Sequence, residues 1–476
     1  METLRHELLS VIQHTSTTVQ LENKYITLDG TALMIPEAAH VIIIGNDNTT
    51  IDAAQLSRIF HVHGHLQLER VRLTGGRANS GAGLKAEPGS TIVLNGVQVD
   101  NCNATRAGGA LAAFGASVTL EACHIFNCSV NGAYAPSHGG ALYAEDALKR
   151  GHQVLSHVLI RSSTITDCSV EGSTLKESEV ACDGGALCFT GGLSVTSDRA
   201  GPTIENTTIT RCTIVARQGR AAGAGLSCRN LAPTVRNSTI ELCSAVSRRG
   251  DTYGGAVHVL DGGLTMIGST LAHCSAVCLE SEWYSYALGG GLYLVASGSD
   301  SLTLEDSQIL GCSCSVQASN GQVRAAGMLL THSARTTVDK NTMTVKRCII
   351  AECTAIHQGS GSAIAAAVSF LYVACLLEDV KIQGCTAMGV SVYGGAMYAS
   401  SATLTFRRCE VNSCAAIATG ATGTAFGGGL LLYGSAAFED SSFFNCSATS
   451  AGNAMGGAID VRRCHSNPAL LDVHHK

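Results

Sequence analysis

The amino-acid sequence predicts an all-β solenoid, and three observations carry that prediction. A phrase recurs along almost the whole chain: an apolar residue, two variable residues, Cys, one variable residue, a small or branched apolar residue, a variable loop, then Gly-Gly-Ala-apolar. Its segments are short, rich in Val, Ile, Thr and Leu and bounded by Gly, Asn, Asp and Ser, so each repeat supplies short strands and bends rather than helix. The repeats differ in length between the Cys segment and the Gly-Gly segment, which is how a stacked supersecondary unit with insertions at one loop reads. Each strand must then pair with its equivalent one unit away, giving parallel sheets and a coiled chain.

The anchors in order are Cys102, Cys128, Cys168, Cys212, Cys243, Cys274, Cys312, Cys353, Cys385, Cys414 and Cys446, with Gly76 in the same slot of an earlier copy. Spacings run 26, 26, 40, 44, 31, 31, 38, 41, 32, 29 and 32 residues. The apolar residue three positions earlier runs from Leu73 through Ile240 to Phe443. In stacked coils these eleven cysteines form one ladder, and Cys123, Cys348 and Cys409 share a second slot. Side chains in adjacent parallel rungs point the same way and fit disulfide geometry poorly, so the ladder reads as buried thiols filling a narrow interior. Cys182, Cys278 and Cys314 fall in or near the variable loops and are the better disulfide candidates.

The Gly-Gly-Ala and apolar-x-x-Cys-x-Ala phrases resemble the repeats of polymorphic outer-membrane adhesins, with Cys where those carry Asn. Over roughly residues 40 to 460 the chain looks like a right-handed parallel β-helix of the pectin-lyase-like superfamily. Twelve anchored units plus about two before them give about 12–14 coils and a rod on the order of 60 Å at about 4.8 Å per coil. The superfamily includes lyases and hydrolases of acidic polysaccharides, so it also implies an enzymatic alternative.

A charge pattern tests the register. The position that stacks from coil to coil reads Glu69, Asn95, Glu121, Arg161, Glu205, Arg236, Ile267, Glu305, Lys346, Glu378, Arg407, Glu439. From Glu121 on the sign alternates, broken only at Ile267, and opposite charges in neighbouring rungs attract by roughly 0.2 to 1 kcal/mol each. A one-coil slip would lose that gain.

Domain organisation follows as a cap over 1–17, one β-helix domain over 18–461 and a tail over 462–476. Met1 to Ile12 reads as a short amphipathic helix capping the open hydrophobic end, with Leu4, Leu8, Leu9 and Ile12 on one face. It lacks the basic start, apolar run and cleavage site of a signal peptide. That leaves an intracellular protein, or a partial gene model of a larger surface protein, and the six sequons favour neither. The uncharged stretch 359–377 stays in repeat register, which reads as β-helix rather than a membrane span. His61, His63 and His65 share a strand face; without a neighbouring carboxylate or Cys they read as a half-exposed face.

A net charge of −6 with 14% charged residues gives no basic patch, which argues against nucleic acid as a partner. No Cys-x-x-Cys pair has a partner pair at zinc spacing, so no metal site is assigned, and no cofactor is implied. The insertions should project from one edge and form a variable surface for a carbohydrate or protein ligand. Trp283, Tyr284 and Tyr286, in one such loop, are the candidate binding residues because aromatic faces stack on sugars and peptide side chains. Neither an Asp-Asp pair nor a Gly-His-Gly phrase is present, and the acidic pairs Glu305-Asp306, Glu378-Asp379 and Glu439-Asp440 alternate with basic ones. The functional reading is a non-enzymatic scaffold or surface-binding adhesion module, with no catalytic residue assigned. The alternative is a polysaccharide lyase or glycoside hydrolase working in a groove along the rod, which would bring carboxylates or an Arg from three consecutive coils into one cleft.

Overall fold

In the computed structural model, residues 16–132, 136–173, 180–192, 200–280, 284–297, 301–333, 342–462 and 471–474 are described. They form an all-β parallel β-helix with five columns of short strands per full coil. The first two columns share a 27-stranded sheet, the third is a 14-stranded sheet, and the fourth and fifth make a further sheet. The 14 rungs of the third column, from Tyr25–Thr27 to Ser442–Phe444, count the coils. The proposed capping helix lies outside the described residues. At the other end Leu471–His474 pairs in parallel with Ala436–Glu439, so part of the tail extends the coil.

Three left-handed turns close each coil. One follows the charged ladder position, at Arg347 and Asp379 for example; one precedes the anchor cysteine, at Asn101, Asn127 and Asp167. The third is the first glycine of the Gly-Gly phrase, such as Gly139 at φ 62°. That angle strains a residue with a Cβ. The second glycine answers a different demand. At Gly140 an added Cβ would overlap the carbonyl oxygen of Gly185 in the next coil, so backbone contact between coils requires its absence.

The anchor cysteines stack as the sequence predicts. Ser129 N–H donates to Cys102 O at 2.9 Å, Ser169 to Cys128 at 3.0 Å, and so on to Ser447 and Cys414 at 2.9 Å; Asn103 N–H on Gly76 O places Gly76 in the same slot. Each thiol lies near a carbonyl exposed by the preceding turn, as Cys128 Sγ does to Phe126 O and Cys243 Sγ to Glu241 O, both at 3.4 Å. A buried carbonyl needs a partner, and cysteine supplies a weak donor in the volume of a small hydrophobe. Burial pushes the Cys128, Cys212 and Cys274 thiols well above their ordinary pKa. Every described cysteine is a free thiol, which corrects the disulfide assignment of Cys182, Cys278 and Cys314. Those three sit inside strands with at most 1% exposure, because their side chains point into the core rather than along the loops.

Between Cys123 and Cys348 the second cysteine slot is a hydroxyl ladder. Ser163, Thr207, Ser238, Ser269 and Ser307 each donate to the carbonyl two residues back, at 2.6–2.9 Å. Each also accepts an N–H from the preceding coil. A polar interior column is tolerated because every member is satisfied.

The charged ladder holds the predicted register, with Glu121 paired to Arg161, Arg161 to Glu205, and Lys346 to Glu378. Arg161 Nε meets Glu205 at 2.9 Å, and Arg407 Nε meets Glu439 at 3.0 Å. Arg347 bridges Asp306 at 2.6 Å and Glu305; Arg408 bridges Asp379 and Glu378, both at 2.8 Å. The acidic pairs therefore bind the basic pairs of adjacent coils.

Insertions enter at two corners, not one. Besides those between the fourth and fifth columns, extra residues separate Glu145 from His157, including the antiparallel hairpin Ala147–Lys149 with His152–Val154, and further ones follow Thr190, Ala296 and His332. The first and second columns lie in one sheet, and the chain between them can leave and return without breaking a rung. The stretch 359–377 contributes Ser362–Ile364, Val368–Leu371 and part of Ala374–Glu378. Its lack of charge follows from burial on both sides of Val368–Leu371, where even Ser369 is 0% exposed. No helix among the described residues is long and apolar enough to cross a membrane.

Candidate functional site

The left-handed turn at each Gly-Gly sets the fifth and first columns at an angle, so outward side chains of both meet across a concave corner. This groove lies between the two insertion corners. Three rows of side chains line it, each fixed by strand pairing. One row runs Ala107, His138, Asp183, Ala222, Tyr253. The next runs Ala112, Tyr143, Cys188, Ser227, His258, Tyr293. The outer one runs Phe114, Glu145, Thr190, Arg229.

Toward the C-terminal coils large rings fill the corner. Tyr253 and Tyr293 stack at 5.2 Å, His258 lies 5.6 Å from Tyr293, and Ser227 Oγ sits 3.1 Å from His258 Nδ1. Burial holds His258 neutral, lowering its pKa to about 4. Toward the N-terminal coils, beside the small Ala107, the corner opens into a cleft of about 330 Å³. Ser80, Arg106, Phe114, His138, Tyr143, Glu145, Asp183, Thr190 and Arg229 line it.

The electrostatics of the cleft are mixed and partly unpaired. Tyr143 donates to Glu145 Oε2 at 2.8 Å, and burial raises the phenol's pKa. The His138 ring stacks on Tyr143 at 5.7 Å, and Phe114 meets Tyr143 edge-on at 6.0 Å. Asp183, 5% exposed, has His138 Nδ1 at 3.7 Å and Arg229 Nη2 at 3.5 Å from its Oδ2. Its other oxygen, Oδ1, and His138 Nδ1 are buried without a hydrogen-bond partner among the described residues. Burial lowers the His138 pKa, against the pull of Asp183. Arg106 makes no ion pair among the described residues. Glu145, Asp183 and Arg229 thus reach one cleft from three consecutive coils.

The residues singled out in the sequence lie elsewhere. Trp283 is outside the described residues. Tyr284 and Tyr286 are 52% and 37% exposed, with rings 5.1 Å apart. They are not in the cleft. His61 has the carboxylate partner that the sequence did not reveal, Glu87 of the next coil at 2.6 Å. A shallower hollow of about 170 Å³ among Glu37, His63, Glu87, Pro88 and Lys149 has its charges paired, Lys149 with Glu37 at 2.8 Å.

The fold and the cleft together define a parallel β-helix scaffold with a walled, polar recess on its concave corner. Comparison with protein-family models, with curated proteins and with solved structures finds no match.

Proposed function

We propose that the protein is a rigid β-helix module that binds an extended saccharide bearing carboxylates, and that the ligand lies in the cleft rather than on the loop edge. The observation that carries this reading is the pair Arg106 and Arg229, directed into one recess whose wall is the Phe114–Tyr143 ring pair. Guanidinium groups recognise carboxylates through paired N–H donors, and ring faces pack on sugar C–H surfaces. Glu145 and Thr190 add acceptors for hydroxyl groups.

Calorimetry tests it with oligouronates against neutral oligosaccharides of equal length. The acidic ligand should bind preferentially, and Arg106→Ala and Arg229→Ala should each weaken it about tenfold, equivalent to ~1.4 kcal/mol. Equal affinity for neutral chains, or variants indistinguishable from wild type, contradicts the reading.

A second reading, cleavage of the same ligand, is favoured by the convergence of Glu145, Asp183 and Arg229 from three consecutive coils. It predicts new reducing ends or unsaturated products from oligouronates, lost in Glu145→Gln. No product after prolonged incubation leaves binding alone.

A further inference from the structure

The cleft carries a constellation that its saccharide-binding reading does not use. One donor atom each from His138, Asp183 and Cys188 lies within 4.8 Å of the other two. His138 and Asp183 are successive rungs of the fifth column, and Cys188 is the rung after Tyr143 in the first, so the Gly-Gly corner brings them together. Two features separate this cluster from a chance grouping of polar residues. Asp183 is 5% exposed, yet among the described residues Oδ1 has no hydrogen-bond partner, and neither has His138 Nδ1. A buried carboxylate oxygen and a buried ring nitrogen left without partners cost free energy unless something else meets them.

We propose that His138, Asp183 and Cys188 bind a divalent transition-metal ion, zinc by the chemistry of its donors, at the floor of the cleft. An imidazole nitrogen, a carboxylate oxygen and a thiolate sulfur are a zinc donor set and exclude a calcium or magnesium site, which would be all oxygen. Metal–donor bonds of about 2.0–2.3 Å in tetrahedral array put donors roughly 3.3–3.7 Å apart. His138 Nδ1 lies 3.7 Å from the Asp183 carboxylate, and the three donor atoms all fall within 4.8 Å of one another. Arg229, near Oδ2, orients the carboxylate from outside the ligand shell, as outer partners do in metal sites. Three protein ligands leave a fourth position, and it faces the cleft because His138 and Asp183 line it. A Lewis-acidic centre there would polarise an oxygen of whatever occupies the recess. This inference stands whether or not the ligand is a saccharide.

The test is titration of the full-length, reduced, chelator-treated protein with cobalt(II), followed by displacement with zinc. Wild type should take up one equivalent with a thiolate-to-cobalt absorption band, and zinc should abolish the band. Cys188→Ser should lack the band although the other cysteines remain. Asp183→Asn should weaken binding by at least about 100-fold, since losing a ligand exceeds the 10–100-fold cost of losing an outer partner. His138→Gln, which keeps the shape of the donor side, provides a further variant should Cys188→Ser not give the wild-type circular dichroism spectrum; it too should weaken binding by that factor. No uptake, uptake without a thiolate band, or uptake unchanged in the folded variants overturns the proposal.

Discussion

Replacing His258 by Phe should remove a specific pH sensitivity from the groove. His258 lies 3% exposed against the Tyr253 and Tyr293 rings, with Ser227 on Nδ1, and burial lowers its pKa to about 4. In the unfolded chain a histidine titrates near 6.5, so protonation favours opening. The stabilisation is fully present above pH 6.5 and is lost as pH falls toward 4. Over that window the difference of about 2.5 units corresponds to about 3 kcal/mol, of which ~2 kcal/mol is lost by pH 5. Solenoids open repeat by repeat, so the fitting assay is native-state hydrogen exchange at the amides of Val257–Leu260, not a global melt. Between pH 7.5 and 5 the opening free energy of that strand should fall about 2 kcal/mol further in wild type than in His258→Phe, whose ring preserves the stack. The same fall in both proteins would refute the assignment of a buried neutral imidazole.

Further predictions follow from the coil contacts. Gly140→Val should abolish the folded protein by gel filtration and circular dichroism, because its Cβ overlaps the Gly185 carbonyl; a folded variant with unchanged melting would contradict the close approach of coils there. Arg347→Glu should lower the melting temperature, most at low ionic strength, by setting a carboxylate against Glu305 and Asp306, and salt should shrink the difference. A difference independent of salt would point to packing instead. Among the described cysteines of native protein, Cys446 should alkylate first, being half-buried where the other nineteen are buried, and mass spectrometry of the modified peptide reads this directly. Early labelling at Cys212 or Cys243 would contradict the thiol ladder.

Much of the fold was legible because solenoid stacking repeats one local rule. The Cys anchors, the Glu121-to-Glu439 sign alternation and the apolar positions from Leu73 to Phe443 all report the same register, and the strand pairing reproduces it. The site was less legible. Residues two and four places after the Gly-Gly-Ala phrase alternate with core residues and so read as ordinary outward positions. Nothing in a period-two pattern tells an outward face from a concave corner. The available signal was chemical: His138 and Asp183 directly precede Gly-Gly, where other copies carry Ala222, Leu288 or Phe426. The second insertion corner was also readable, since 19 residues separate Gly109 from Cys128 but 28 separate Gly140 from Cys168. The aromatic loop drew attention by composition, while one wall of the cleft is a residue as small as Ala107.

The central claim is that ligand binds in the corner cleft, and hydrogen-exchange mass spectrometry with and without an oligouronate tests it most directly. The account predicts protection concentrated in Leu111–Phe114, Leu142–Glu145, Leu187–Thr190 and Leu226–Arg229, with Ser285–Leu288 unchanged. Protection at Ser285–Leu288 with none at the four cleft strands would contradict it and return the binding face to the loop edge.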